Sequence, residues 1–419
     1  MCNKPVFVIL FLAFICACKT ERIVENRIKQ DIKVLADDKL EGRATGTQGE
    51  LLAASHIANR FKDLGILPKG TNEYIQAFTF TPKTDPHAEV EYGEANGKKS
   101  LTGRNVIGFI DNKAENTIVI GAHYDHLGMG QEGSLHRGEP MIHNGADDNA
   151  SGVAVMLYLA DKLKEGNTEN NYLFIAFSGE ELGLLGSNYF VKNPTIDITK
   201  VNYMINMDMV GRLKKNKTLA IYGTGTSPIW DETIKKANSK HTFDFKLNVS
   251  GVGPSDHTSF YLQDIPVLHF FTGQHVDYHK PSDDFEKLNY EGMLQIGNYI
   301  HRIISEVNSQ EKLTFTKTVN ESDDTPRFKV TLGVVPDYLF DGKGMRIDGI
   351  SENRPAQKAG LQKGDIVVQL GEHEVTDMKS YMRALSKFEN GNTTTVKVDR
   401  KGEIIEAEIT FFEKKKKKK

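Results

Sequence analysis

Residues 172–181 read YLFIAFSGEE: six apolar residues, a Ser-Gly turn, then two adjacent carboxylates, Glu180 and Glu181. A run with no polar face is what a strand covered on both sides by helices requires. The same grammar recurs along the chain. TIVIGAHYD (117–125) carries a strand into His123 and Asp125, and YMINMD (203–208) ends on Asp208. IPVLHF (265–270) leads into GQHVDYHKPS (273–282), which holds His275 and His279, and NVIGFI (105–110) supplies a fifth strand. Helical candidates lie at 151–164 and 186–191, and a helix over 289–307 closes the set. Upstream, Leu52, Ile57, Phe61 and Leu64 keep helical spacing before a stop at Gly65. Strands alternating with helices predict an α/β three-layer sandwich with a mostly parallel central sheet.

The chain has 419 residues, enough for two or three domains at about 150 residues each. Hydrophobic residues make up 39% and charged residues 26%, which fits a packed core and excludes global disorder. The net charge is −3, but six lysines sit together at 414–419; without them 47 basic residues face 56 acidic ones, a net −9. An acidic body excludes a nucleic-acid partner, since duplex affinity rests on phosphate neutralisation by Lys and Arg. Cys2, Cys16 and Cys18 are the three cysteines. The rest of the chain therefore offers no disulfide, thiolate metal site or cysteine nucleophile.

The first eighteen residues read as an address. Lys4 precedes an apolar run over 6–17, too short for the roughly 20 residues of a membrane span but fitting a secretory h-region. Its end, Ile15-Cys16-Ala17-Cys18, resembles a bacterial lipobox with Cys18 as the lipidated residue. Phe14 and Ile15 make Cys16 the poorer candidate, and a plain cleaved signal is the alternative. Either reading exports the protein to the periplasm or cell surface, with lipidation adding a membrane anchor.

The chemistry sits at strand ends. His123, Glu180-Glu181, Asp208 and His279 each follow a strand, and GADDNASG (145–152) opens a helix. In parallel α/β sheets ligands bind outside the carboxyl ends of the strands, so these segments would meet on one rim. Imidazoles and carboxylates together suit zinc-like divalent ions. Taken singly, Asp147-Asp148 could be a helix cap, Glu180-Glu181 a solvated loop, and His123 an interior histidine. Five such motifs at successive strand ends favour a metal centre. His126, His136, His143, His269 and His301 are read as surface or packing residues.

In their order these motifs resemble metallopeptidase family twenty-eight, the bacterial aminopeptidases with two co-catalytic zincs, over roughly residues 35–305. The resemblance implies two Zn2+ per chain, with Mn2+ or Co2+ as substitutes. It makes His123 and Asp208 ligands of one ion, Glu181 and His279 ligands of the other, and Asp148 the bridging carboxylate. Asp148 rather than Asp147 takes that place by its distance from Gly152. Glu180 becomes the general base acting on a metal-bridging water, and Asp125 the partner that orients His123. The Asp148–Asn149 peptide is expected to be cis. Ser255-Asp256-His257 matches a segment lining the family's site but receives no direct role. Peptides with a free N-terminus are the implied substrates, held by a negative rim. A glutaminyl-cyclase-like acyltransferase and a non-catalytic peptide-binding scaffold are the alternatives. The family's inserted protease-associated domain has no room between 70 and 115. The glycine-rich segment 129–141 is expected to shape the pocket mouth.

Composition changes after 308. The expected organisation is a signal segment (1–18), a zinc aminopeptidase domain (20–308), a polar linker (309–327), a small β-rich domain (328–412) and a lysine tail (413–419). Ala359-Gly360-Leu361 and Gly364-Asp365-Ile366 resemble a bacterial PDZ domain, with a helix over 377–388 bordering its groove. The resemblance implies capture of a C-terminal peptide by β-augmentation, with Leu332, Gly333 and Val334 as the carboxylate loop. A purely structural or regulatory role stays open. Pro336 lacks a backbone donor and should shorten strand pairing there. The tail is read as a solvated end.

Overall fold

The computed structural model describes residues 22–82, 91–93, 100–130, 133–136, 138–239, 241–318, 329–337, 340, 342–351 and 353–411. The expected signal segment with Cys18, part of the expected linker and the lysine tail lie outside the described residues. Among those described, no helix is long and apolar enough to cross a membrane.

The larger unit begins with a helix over 22–35 (α1) and α2 (Gln48–Asp63), whose N-terminus is capped by the Thr47 hydroxyl. Strands β1 (Leu67–Pro68), β2 (Ile75–Thr81), β3 (Glu91–Tyr92), β4 (Leu101–Ile110) and β5 (Thr117–His123) follow. Next come α3 (Gly152–Lys162), β6 (Asn171–Phe177), α4 (Leu185–Lys192), β7 (Val201–Met207), β8 (Thr218–Tyr222), α5 (Trp230–Ala237), β9 (Asp244–Asn248), α6 (His257–Tyr261), β10 (Val267–Phe271) and α7 (Tyr290–Val307). The ten strands form one sheet in the order β3-β2-β4-β6-β5-β7-β10-β8-β9, with β1 beside β4. The central strands β6, β5, β7 and β10 run parallel, as expected. Antiparallel pairs extend the sheet on both sides, at β4–β6 and at β10–β8.

The apolar runs are explained by what each face meets. Ile118, Ile120, Tyr172, Phe174, Tyr203 and Ile205 pack with α1, α2, α3, α5 and α7. Their neighbours Val119, Leu173, Ile175 and Met204 pack on the other side with α4 and α6. Alternate residues thus enter two cores, and a strand polar on either face would leave one uncovered. This is the three-layer sandwich.

The smaller unit has β11 (Val334–Pro336), β12 (Met345–Ile350), α8 (Pro355–Lys358), β13 (Ile366–Leu370), β14 (His373–Glu374), α9 (Met378–Leu385), β15 (Thr393–Arg400) and β16 (Glu403–Thr410). Its strands form a separate six-stranded sheet around its own apolar core. Asp377 and Ser380 close a capping box that starts α9. Pairing of β11 with β12 slips between Val335 and Pro336, where the missing donor was expected to interrupt it.

Candidate metal centre

The parallel strands bring their carboxyl ends to one rim. His123 is the last residue of β5, Glu180 and Glu181 follow β6, Asp208 follows β7, and His279 lies in the loop after β10. Asp148 sits in a tight turn, 146–151, that leads into α3, and the Asp148–Asn149 peptide is cis. Asn149 ties that turn to β7, since its amide donates to the Met207 carbonyl and its side-chain oxygen accepts from Gly152 N.

All of these side chains converge. His123 Nε2 lies 3.3 Å from Asp148 Oδ1, 3.4 Å from Asp208 Oδ1 and 3.9 Å from Glu180 Oε2. His279 Nε2 lies 3.1 Å from Asp148 Oδ2 and 3.3 Å from Glu181 Oε2. Each oxygen of Asp148 therefore faces one imidazole, the disposition a bridging carboxylate needs. Asp147 turns away: it accepts from Gly211 N at 2.6 Å and meets His275 Nε2 at 3.1 Å. Asp148 and His279 face the cluster, whereas Asp147 and His275 face each other.

Backbone contacts orient both imidazoles. His279 Nδ1 is 2.9 Å from the Gly133 carbonyl and donates to it, which turns Nε2 toward the carboxylates. Tyr278 stacks on the same ring at 3.8 Å. His123 Nδ1 meets the Asp125 backbone carbonyl at 3.2 Å, closer than the Asp125 carboxylate at 3.7 Å. The Asp125 carboxylate instead accepts from Thr45 Oγ1 and from Glu180 N. Asp125 thus touches both the His123 ring and the backbone of Glu180.

Electrostatically the rim is overloaded with negative charge. Burial pushes the Glu180 carboxyl well above the usual range, and Asp208, Glu181 and Asp256 add to this against the pull of His123. Burial would also raise Asp148, but hydrogen bonds to His123 and His279 hold it well below its usual value. Burial raises Asp256 to about 7. Among the described residues, two groups of ligand atoms are close enough to hold cations: His123, Glu180 and Asp208, and His126, Asp148 and Glu181. Glu181 Oε1 is buried without a hydrogen bond. Clustered carboxylates and outward lone pairs fit divalent ions of the zinc type.

Two residues at the rim do not show their place in the sequence. His126 is neither on the surface nor in an apolar core: it is buried, with Nδ1 2.8 Å from Glu181 Oε1. Strand alternation sends it away from His123, and only its place in the HYDH run at a strand end hinted otherwise. Ser255 donates to Asp208 Oδ2 at 2.9 Å and accepts from Asn206. His143 is buried against Ser134, as a packing residue.

A cavity of about 600 Å³ opens over the carboxylates. Leu184, Met209, Val252 and Phe271 line it from the larger unit, and Met378, Lys379 and Met382 of α9 line it from the smaller one. In the expected carboxylate loop, Gly333 N donates to Thr331 Oγ1 and Gly333 O accepts from Ser351 N. Gly333 has φ +76°, and a Cβ there would strike the Arg354 side chain.

Residues 105–304 match peptidase family M28, and residues 317–411 match a PDZ domain. The chain is 31% identical over 248 residues to aminopeptidase YwaD of Bacillus subtilis, covering 55% of this chain and 51% of that one. It is 34% identical over 174 residues to the alkaline phosphatase isozyme conversion protein of Escherichia coli, covering 40% and 46%. It thus spans about half the length of these two relatives. Among solved structures, BSAP, a zinc aminopeptidase from Bacillus subtilis, superposes with TM-score 0.52 at 20% identity, covering 71% of this chain and 98% of that one. The glutaminyl cyclase of Bacteroides thetaiotaomicron superposes with TM-score 0.55 at 18% identity, covering 68% and 98%. These likenesses establish a shared fold. A stretch that matches peptidase family M28 is thus followed by one that matches a PDZ domain.

Proposed function

We propose that this chain is an exported, lipid-anchored zinc aminopeptidase that removes N-terminal residues from peptides. The observation that carries the reading is Asp148, with one oxygen toward His123 and the other toward His279. Asp208 flanks the first imidazole and Glu181 the second. Two zinc ions held there would supply Lewis acidity toward the scissile carbonyl and acidify water.

The chain's own groups do the rest. Glu180 Oε2 is 3.9 Å from His123 Nε2, and the backbone N–H of Glu180 is fixed by Asp125. A carboxylate whose proton affinity is raised by burial is suited to take a proton and pass it to the leaving amine. His123, His279, Asp148, Asp208 and Glu181 would hold the cations, and the surplus carboxylate charge of the rim would attract a free ammonium group. Leu184, Met209 and Phe271 give the first side chain of the substrate an apolar bed. Met378 and Met382 of the PDZ domain stand across that bed, which favours short peptides. Export and the Cys18 anchor rest on the N-terminal sequence, and a C-terminal peptide ligand of the PDZ domain on its family. Mn2+ or Co2+ would substitute in the same ligand set.

The test is hydrolysis of aminoacyl chromogenic amides with and without chelator, beside Glu180→Gln. Loss of activity with chelator, restored by Zn2+, and a 10²–10⁴-fold fall in kcat for the variant are expected. Full activity in the variant refutes the base, and equal cleavage of N-blocked peptides refutes the exopeptidase assignment. The shared fold with a glutaminyl cyclase favours a second reading; one metal per chain with cyclisation of N-terminal glutamine would select it.

A further inference from the structure

We infer that His126 is a direct ligand of the cation facing Glu181, Asp148 and His279, so that this position has two imidazoles where the other has one. The inference rests on the two-metal reading above. His126 is 2% exposed, and neither of its ring nitrogens makes a hydrogen bond. A buried, unpartnered imidazole calls for an explanation such as an ion. One of the two unpartnered nitrogens faces the ligands: Nδ1 is 2.8 Å from Glu181 Oε1 and 4.0 Å from Asp148 Oδ2.

At 2.8 Å a hydrogen bond between Nδ1 and Glu181 Oε1 would be expected, yet Oε1 has no hydrogen-bond partner either. The two atoms are in contact without the alignment of donor and acceptor. A shared cation explains this. An ion about 2.1 Å from each atom would see them at roughly 85° and pull the ring lone pair off the line between them. The carboxylate is then divided, Oε1 toward His126 and Oε2 toward His279. The rings of His126 and His279, which face the two oxygens of Glu181, stand 5.8 Å apart and 73° inclined.

The backbone makes room for the imidazole. Gly145 has φ +55°, and a Cβ there would lie 2.5 Å from Cγ and Cδ2 of His126. Only glycine lets the chain that leads to Asp148 pass this close to the ring.

The two positions therefore differ in kind. Asp148, Glu181, His279 and His126 give one cation four protein residues, a closed set; His123, Asp208 and Asp148 give the other three, which leaves room for substrate. The closed position retains its ion, and the open one exchanges.

The experiment follows metal release from the Zn2+-loaded full chain into a chromogenic chelator. It is paired with the visible spectrum of the Co2+-loaded protein, neither readout depending on activity. Wild type is expected to release one ion fast and one slowly. His126→Ala is expected to speed the slow release at least 10-fold and to change the Co2+ bands, with the fast release unaltered. Asp208→Ala should abolish the fast ion alone. His126→Gln keeps a hydrogen-bond donor for Glu181 but no imidazole; behaviour like that of His126→Ala supports ligation. Wild-type release and spectra in His126→Gln would reduce His126 to a hydrogen-bonding support and overturn the inference, as would two unaltered ions in His126→Ala. Metal-free variants are compared with metal-free wild type by circular dichroism, and a matching spectrum assigns any change to the metal. A wild type that binds no ion refutes the two-metal reading itself.

Discussion

Arg43 offers the sharpest test of how the fold supports the rim. Its guanidinium is completely buried and donates to four main-chain carbonyls: Tyr124 at 2.7 Å, Leu35 at 2.6 Å, Asn144 at 2.5 Å and Gly145 at 3.0 Å. Burial lowers its pKa to about 10 against the opposing pull of Asp125, Asp148, Asp283 and Glu181, so it stays charged at neutral pH. One side chain thus fastens the end of α1, the chain just beyond His123 and the approach to Asp148. Arg43→Met keeps much of the volume and removes every donor. Stranding one buried carbonyl costs about 1 kcal/mol after relaxation, so four cost about 4 kcal/mol, a large share of a total near 5–15 kcal/mol. With a urea slope of about 3 kcal/mol per molar for a large domain, the midpoint should fall by roughly 1.3 M. Arg43→Lys retains a cation with three donors that cannot span all four carbonyls, and should lose about half as much. Urea unfolding followed by far-UV circular dichroism reads both. A midpoint within 0.2 M of wild type for Arg43→Met, on a scale where about 0.3 M corresponds to 1 kcal/mol, would refute the reasoning.

The same logic reaches the PDZ domain and the cleft. Asp365 is clamped by Arg400 through two contacts of 2.7 Å and accepts from Gln362 N; burial alone would raise its carboxyl, but these partners hold it below 3.8. A depressed folded pKa stabilises fully above 3.8 and loses that contribution as pH falls through the folded value. Asp365→Asn should therefore lower stability at pH 7, and thermal melts should show the gap to wild type closing below about pH 4. In the cleft, Met378→Ala with Met382→Ala should raise kcat/KM for longer peptides several-fold while leaving dipeptides and metal content unchanged; equal effects on every length would detach the PDZ domain from substrate selection. Gly152→Ala sets a Cβ 2.4 Å from the Asn149 side chain and 2.5 Å from the Met207 carbonyl. It should displace the turn carrying Asp148 and weaken metal retention, as measured by chelator competition.

The central sheet was legible because its physics is simple. Strands β5, β6 and β7 are buried on both faces, which writes a continuous apolar run into the sequence. Edge strands carry no such mark: β9, Asp244–Asn248, is partly exposed along its whole length, and its Asp-Phe-Lys-Leu-Asn pattern does not separate it from a loop. Asp148 is singled out by its distance from Gly152 and His279 by its place after Tyr278; that their neighbours Asp147 and His275 pair with each other is a long-range contact that no local pattern encodes. His126 was lost because alternation holds only while the chain is extended, and the backbone leaves β5 at His123. Ser255 was matched to the family's site but given no role; its bond to Asp208 crosses between segments far apart in sequence, and no local pattern encodes that contact.

The most direct measurement is an anomalous difference map from crystals of the Zn2+-loaded chain, recorded on either side of the zinc absorption edge. The account predicts two peaks about 3.5–4 Å apart, one beside His123 and Asp208 and one beside Glu181 and His279, with Asp148 between them. A single peak, or ions bound away from Asp148, would contradict it.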